Sequence, residues 1–373
     1  MYLEVRNCRV CNAPFNNEEL LHLENMPKSA QNFPVDKNDK GIELSIYQCS
    51  ACGLVQHNCP PVPYHKEVIR ASAFSTEMSE FRKLQFNKFV HRYYLKGKKV
   101  IELGCGRGEY LSLMKETGAN VSGIEYSIES VNECLKQNLN VKRDYISDSN
   151  QKLPDAPYDA FFILSYFEHL PAPQILLKSI HKNLTNDGIG LIEVPNFDMM
   201  VRDNLFSEFI TDHLMYFTKD TLTSTLLMNG FEVVECKEIW HDYIISAVVR
   251  KRNKLNLQSF KNEREVLTTD IHNYISQHSK VAVFGAGHQA LALIALTDIG
   301  NKIEYVVDDA TFKQGKYTPA THIPIVSRAE LKKNPVDAII IIAGSYSDEV
   351  KNSLSHTKIN KAIINNNKLQ VAS

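Results

Sequence analysis

Two Cys-x-x-Cys pairs, Cys8 with Cys11 and Cys49 with Cys52, place four thiols within reach of one ion. Tetrahedral zinc takes four thiolates, and each two-residue spacer lets a pair of sulfurs grip the ion from a single turn. All four positions are cysteine, so no coordination position is left open and the expected role is structural. The long insert between the pairs is compatible with this, because loop length adds little closure entropy once metal binding drives folding. A second chemical centre lies in VIELGCGRGEYL, where Glu102 precedes Gly104, Gly106 and Gly108 between an expected strand and helix. Glycines there allow a tight turn and close approach of a ligand to the backbone. Glu125 follows about twenty residues later at the end of the next strand, where an acid can hold two ribose hydroxyls. With the acid ahead of the glycines, the pattern points to S-adenosylmethionine over a dinucleotide.

The elements that must position these residues follow from periodicity. The run MSEFRKLQFNKFVHRYYL has helical spacing. Beyond it, KKVIEL, VSGIEYS, YDAFFILS and GIGLIEVPN read as strands separated by helices, which predicts a parallel sheet covered on both faces. The proline-containing stretch HNCPPVPYHKE reads as an irregular connection, and RKRNKLNLQSFKNERE as a separator. After it a second βα unit opens with KVAVFGAGHQALALIAL and continues to IEYVVDD and AIIIIAGS. The expected fold class is α/β with three domains: zinc-binding over 1–70, a Rossmann-like core over 71–252, and a second Rossmann-like domain over 253–373.

Composition narrows the partners. The 373 residues carry a formal net charge of -1 without a basic stripe, so nucleic acid is not expected. No apolar run is long enough to span a bilayer, and the N-terminal residues lack a signal peptide's apolar core. Eight cysteines, four of them assigned to metal, suit a reducing cytoplasm.

The glycine turn, and the segment FFILSYFEHLPAPQILLKSIHKNLTNDGIGLIEVPN after it, resemble the class I methyltransferases. That resemblance implies cofactor contacts from Tyr126 and Ser165, with Tyr166 close by and His169 facing the active cleft. The whole chain is similar to the sugar C-methyltransferases that act on nucleotide-linked ketosugars. CGLVQ and MPKSAQNFP match that family's zinc domain, and KQGKYTPATHIPI its C-terminal domain. The resemblance implies a nucleotide-sugar substrate, with the catalytic pair falling on Asp212 and His213 in SEFITDHLMYFTKDTL. His213 is then the general base that removes a proton beside a ketone, and Asp212 orients its ring.

Departures from the family pattern leave alternatives. The pair has Asp where relatives carry Glu, Ile210 or Thr211 stands where a tyrosine is usual, and RASAFS offers Phe74 and no tyrosine. A pocket poor in phenols is therefore expected, and an O-methyltransferase on a nucleotide sugar is the principal alternative. A zinc-containing scaffold without catalysis is another. In the C-terminal domain, Gly285, Gly287 and Ala290 with Asp308 and Asp309 match a dinucleotide fingerprint. The resemblance instead implies a hold on the substrate's nucleotide or a retained fold, with Lys313 and Lys316 beside Gly315 as possible phosphate contacts.

Overall fold

The computed structural model describes residues 6–15, 18–31, 33–35, 38–67 and 75–372. Two compact units divide between Asn253 and Lys254. In the first, three strands, β1 (Leu21–Met26), β2 (Ile42–Gln48) and β3 (Val55–His57), precede helix α1 (Thr76–Arg92). Alternation of strand and helix follows: β4 (Lys99–Leu103), α2 (Glu109–Glu116), β5 (Asn120–Glu125), α3 (Ile128–Lys136) and β6 (Val141–Arg143). β7 (Tyr158–Leu164), α4 (Pro173–Asn183), β8 (Leu184–Pro195) and α5 (Phe197–Arg202) continue it. A two-residue strand β9 (Met215–Tyr216), helix α6 (Lys219–Met228) and the hairpin β10 (Phe231–Ile239) and β11 (Ile244–Lys251) close the unit.

Seven strands form the main sheet in the order β10-β11-β8-β7-β4-β5-β6. The five from β8 to β6 are parallel to their neighbours, whereas β11 runs antiparallel to both β8 and β10. This is the class I methyltransferase arrangement, with the last strand inserted antiparallel. Central strands bury both faces, so they are continuous apolar runs: Phe161, Phe162 and Ile163 of β7 are fully buried. A charged pair also enters that interior. Arg82 of α1 pairs with Glu193 of β8, both wholly buried, and Glu193 also accepts from Gln85 and from Ser246 Oγ at 2.9 Å. Burial of such a pair adds little net stability but fixes geometry, because either charge alone would be stranded. α1 is thereby pinned across the middle of the sheet.

The second sheet, β1-β2-β3-β9, is antiparallel throughout and crosses the expected boundary at residue 70. β3 comes from the cysteine-rich segment and β9 from residues after Asp212 and His213. Leu44, Ile46 and Val55 pack with Phe197, Met200 and Tyr216, while Cys8, Cys49 and Leu54 join the core cluster that holds Phe167 and Phe217. The cysteine segment is thus built onto the methyltransferase core through shared apolar surface.

Each Cys-x-x-Cys pair sits in the same kind of turn. Asn12 N–H donates to Cys8 O at 2.9 Å and Gly53 N–H to Cys49 O at 2.8 Å, with φ of 62° at Asn12 and 76° at Gly53. The left-handed residue after the second cysteine reverses the chain and turns both sulfurs inward. Cys8 and Cys52 sulfurs lie 3.5 Å apart, as do those of Cys11 and Cys49, and all four fall within 4.8 Å of one another. Zinc–sulfur bonds of about 2.3 Å in a tetrahedron separate sulfurs by about 3.8 Å, so the four thiols fit zinc.

In the second unit, α7 (Gln258–Ser276), β12 (Val281–Phe284), α8 (His288–Leu296), β13 (Val306–Val307) and β14 (Ile325–Val326) are followed by α9 (Glu330–Lys333) and β15 (Ala338–Ile341). Helix α10 (Ser347–Ser353) and strands β16 (Asn360–Asn365) and β17 (Lys368–Ala372) complete it. Its sheet order is β14-β13-β12-β15-β16-β17, parallel except for β17. Among the described residues no helix is long and apolar enough to cross a membrane.

The thiol geometry makes a direct prediction. Metal analysis of the purified chain should return one zinc, and Cys49→Ser should lose it. Structural zinc is worth ~10–16 kcal/mol in small zinc modules, so destabilisation of roughly 3 kcal/mol or more is expected by denaturant unfolding.

Candidate active site

In an open parallel sheet, ligands bind beyond the carboxyl ends of strands where the strand order reverses. Here that point lies between β4 and β7. β4 ends in buried Glu102 and Leu103, and the chain then turns through Gly104, Gly106 and Gly108 at φ of 72°, 55° and 86°. A Cβ on Gly104 would lie 2.5 Å from Tyr166 Cδ1, and one on Gly108 the same distance from Leu139 Cδ1. Glycine is thus required twice, by backbone angle and by space. Glu125, at the end of β5, is buried, and its carboxylate accepts from Gly106 N–H at 3.0 Å and from Tyr126 and Ser127 N–H at 2.9 Å. The acid therefore braces the glycine turn as well as facing the crevice.

Beside Glu125 lies a cradle lined by Gly104, Tyr126, Asp144, Tyr145 and Tyr166. Its free volume is about 10 Å³, against roughly 300–1,000 Å³ for small-molecule sites. Lys66 also lines it: its ammonium lies 5.3 Å from the Tyr126 ring centre and 5.1 Å from that of Tyr145. Tyr166 OH donates to Lys66 O at 3.4 Å and closes the other side. The glycine turn and the acid suit S-adenosylmethionine in chemistry, and Lys66 with Tyr166 narrows the cradle beside them.

Next to the cradle, and sharing Tyr166 with it, is a cavity of about 430 Å³. Ser165, His169, Asp212 and His213 all line it, as do Tyr64, Glu168 and Tyr243. Ser165 has φ of 51°, a left-handed kink where β7 leaves the sheet. Tyr243 follows three consecutive left-handed residues, Trp240, His241 and Asp242, which turn β10 into β11 at the rim. His169 and His213 stand edge to face, ring centres 4.9 Å apart. Glu168 Oε1 is 3.8 Å from His169 Nε2 and 4.0 Å from His213 Nε2. Burial, reinforced by neighbouring His169 and His57, pushes the His213 imidazole down to about 3, so its ring is neutral at ordinary pH. Burial also lowers His169 and raises the Glu168 carboxyl to about 8.

Asp212 takes a different part from the one expected. Its Oδ1 accepts from Tyr64 OH at 2.7 Å and its Oδ2 from Ala30 N–H at 2.8 Å, while its carbonyl meets His169 Nδ1 at 2.9 Å. The carboxylate fastens two segments of the cysteine-rich region to the cavity wall, and the acid closest to the His213 ring is Glu168. Burial and then Asp212 raise the Tyr64 phenol to about 12. The expectation of a pocket poor in phenols is also corrected, since Tyr64, Tyr110, Tyr166 and Tyr243 all line the cavity. Tyr64 lies in the proline-containing connection, and Glu168 directly precedes His169 in the Phe-Glu-His-Leu run. Ile210 lines the cavity, Thr211 Oγ1 donates to Pro27 O at 3.2 Å, and Phe74 lies outside the described residues.

The C-terminal glycine turn, taken by itself, has a similar brace. Gly285 has φ of 109°, and a Cβ there would lie 2.4 Å from Ile342 O. Asp308 accepts from Ala286 N–H at 2.7 Å, from Ala310 N–H at 2.9 Å and from Lys313 Nζ at 2.9 Å. Asp309 is held in a two-pronged pair by Arg328 at 2.7 Å. Lys313 thus engages the acid of its own turn.

Opening the cradle at Lys66, which lines it, should favour an incoming ligand. Lys66→Ala is expected to tighten S-adenosylmethionine binding by about threefold, the worth of ~0.5–1 kcal/mol of ammonium–ring attraction. Calorimetric titration of the two proteins reads this directly, and unchanged or weaker binding would contradict it.

Comparison with known proteins agrees with this geometry. Residues 78–236 match the model of a methyltransferase domain, and residues 255–364 that of a C-methyltransferase C-terminal domain. The C-methyltransferase NovU of Streptomyces niveus is 22% identical over 93% of this chain and 91% of its own length. A ubiquinone biosynthesis O-methyltransferase of Idiomarina loihiensis is 33% identical, over 26% of this chain and 42% of its own. Among solved structures, an S-adenosylmethionine-dependent methyltransferase from Aquifex aeolicus aligns with 46% of this chain and 93% of its own, at 19% identity and a TM-score of 0.38. A methyltransferase-domain match followed by a C-methyltransferase C-terminal match, with likeness to NovU along nearly the whole chain, makes this chain similar to the S-adenosylmethionine-dependent C-methyltransferases.

Proposed function

We propose that the protein methylates a ring carbon of a nucleotide-linked deoxyketosugar, with His213 as general base. The observation that carries this reading is the shared wall. Tyr166 lines both the cradle beside Glu125 and the cavity that holds His213, so a methyl donor and an acceptor bound there would meet. Similarity to NovU over nearly the whole chain favours carbon as the acceptor. Residues 1–70 serve as the structural zinc domain, 71–252 as the methyltransferase and 253–373 as a Rossmann-like companion.

Glu102, Gly104, Gly106, Gly108, Glu125, Tyr126 and Ser165 form the cofactor's contact set. S-adenosylmethionine supplies a methyl group already activated on sulfonium. The protein's task is then alignment and the making of a nucleophile. A carbon beside a ketone releases a proton because the charge spreads onto oxygen, and the neutral His213 ring is in the state to take it. His169 Nδ1–H donates to Asp212 O, which leaves Nε2 as the acceptor nitrogen facing Glu168. Asp212, through Tyr64 and Ala30, keeps the cysteine-rich region against the acceptor cavity. Oxygen is the second reading, favoured by the likeness to the ubiquinone biosynthesis O-methyltransferase, and His213 would then deprotonate a hydroxyl.

Methyl-labelled S-adenosylmethionine with a panel of nucleotide-linked 4-keto-6-deoxyhexoses tests the proposal. Label on a ring carbon next to the ketone, located by NMR, is the expected result, and label on oxygen would transfer the assignment to the second reading. His213→Ala should keep cofactor affinity and lower turnover roughly a hundredfold or more. Full turnover in that variant would remove His213 from the mechanism.

A further inference from the structure

Glu168 stands out among the buried acids of the first unit. It sits in the short turn Phe167–His169 directly after β7, and only 1% of its surface is exposed. Its Oε2 has no hydrogen-bond partner, and its Oε1 lies within 4.0 Å of an imidazole nitrogen on each of two histidines. The turn itself is fixed, because Leu214 N–H donates to Glu168 O at 3.0 Å and His169 Nδ1 meets Asp212 O. An isolated buried carboxylate is costly, and so is an isolated buried imidazolium, but the two side by side neutralise each other.

We propose that Glu168 is the counter-charge that makes His213 a base: the carboxyl and the two imidazoles act as one proton-holding group. This rests on His213 being the base, as argued above. A neutral buried histidine alone resists taking a proton, since the resulting cation would have no partner. With Glu168 as carboxylate, the proton leaves the acceptor's C–H bond, its electron pair stays on carbon, and the new imidazolium is balanced by the adjacent anion. After methyl transfer the group returns that proton to water through the cavity. Glu168 thus acts through His213, as a positioning residue.

The proton count belongs to the group and not to one member. The titratable and charged groups facing it are His169 and His213, Asp212 on the same turn as His213, His57 of β3, and Tyr243 at the start of β11. Burial raises the carboxyl and lowers both rings, so between those limits the group binds one proton near neutral pH. The form able to accept a proton from substrate is the one that has lost it. Activity should therefore rise with pH as this shared proton leaves.

Glu168→Gln keeps the shape and removes the charge. In the zinc-loaded full chain, NMR of the histidine side chains from pH 5 to 9 should show the His169 and His213 signals shifting together in the natural protein as the group loses its shared proton. In Glu168→Gln that shared transition should vanish from the range, the rings remaining neutral. This readout needs no acceptor, so it stands even if the proposed sugar proves wrong. With an acceptor taken from the panel above, kcat should fall by about a hundredfold, with unchanged cofactor affinity and without the rising limb of the pH profile. Glu168→Asp should restore part of both. An unaltered histidine titration, an unaltered pH limb, or a second tightly bound metal lost with Glu168→Gln would each overturn the proposal.

Discussion

Two backbone pairings, Val55 with Tyr216 and Gln56 with Met215, couple the four-cysteine part of the chain to the segment that carries Asp212 and His213. β3 begins three residues after Cys52, and β9 begins two residues after His213. A strand pair this short has little stability of its own, so it depends on the apolar surfaces behind it. Leu54 and Val55 on one side and Phe197, Tyr216 and Phe217 on the other supply that surface. His57 adds a polar tie, its Nε2 lying 3.1 Å from Thr211 O, one residue before Asp212. The cysteine turns therefore set the position of the wall of the cavity that His213 lines through a few short, direct links.

Much of the site's cofactor side is legible in the sequence because its constraints are local. A glycine every second residue, an acid just ahead and another at the next strand end are imposed by backbone angles and by one turn of chain. The same holds for the cysteines, whose spacing is set by a single hairpin. The sheet also follows from pattern, since buried parallel strands are unbroken apolar runs. β11 is different: it is not among the strands read from periodicity, and it runs antiparallel in a sheet expected to be parallel.

The acceptor side is less legible because its contacts join residues remote in sequence. Tyr64 and Asp212 meet across 148 positions and Ala30 and Asp212 across 182, so no window of sequence contains both partners. Asp212 looks like the partner of His213 because it precedes it in the chain. In the fold its side chain leaves in another direction, and Glu168, from a turn more than forty residues earlier, takes the place beside the ring. RASAFS, with Phe74, suggests a phenol-poor pocket, yet Tyr64 brings a phenol from the proline-containing run and Tyr243 another from the turn before β11. Adjacency in sequence is a poor guide to side-chain direction wherever the chain turns sharply, as it does at Ser165 and at Trp240–Asp242.

Both α/β halves brace a glycine turn with the acid of the following strand, Glu125 onto Gly106 and Asp308 onto Ala286. They differ in Lys313, whose ammonium already rests on Asp308. The acid of the second turn is thereby charge-compensated within its own loop, whereas Glu125 accepts from three backbone N–H groups of the first. Two turns of one design thus present different charge to whatever approaches them.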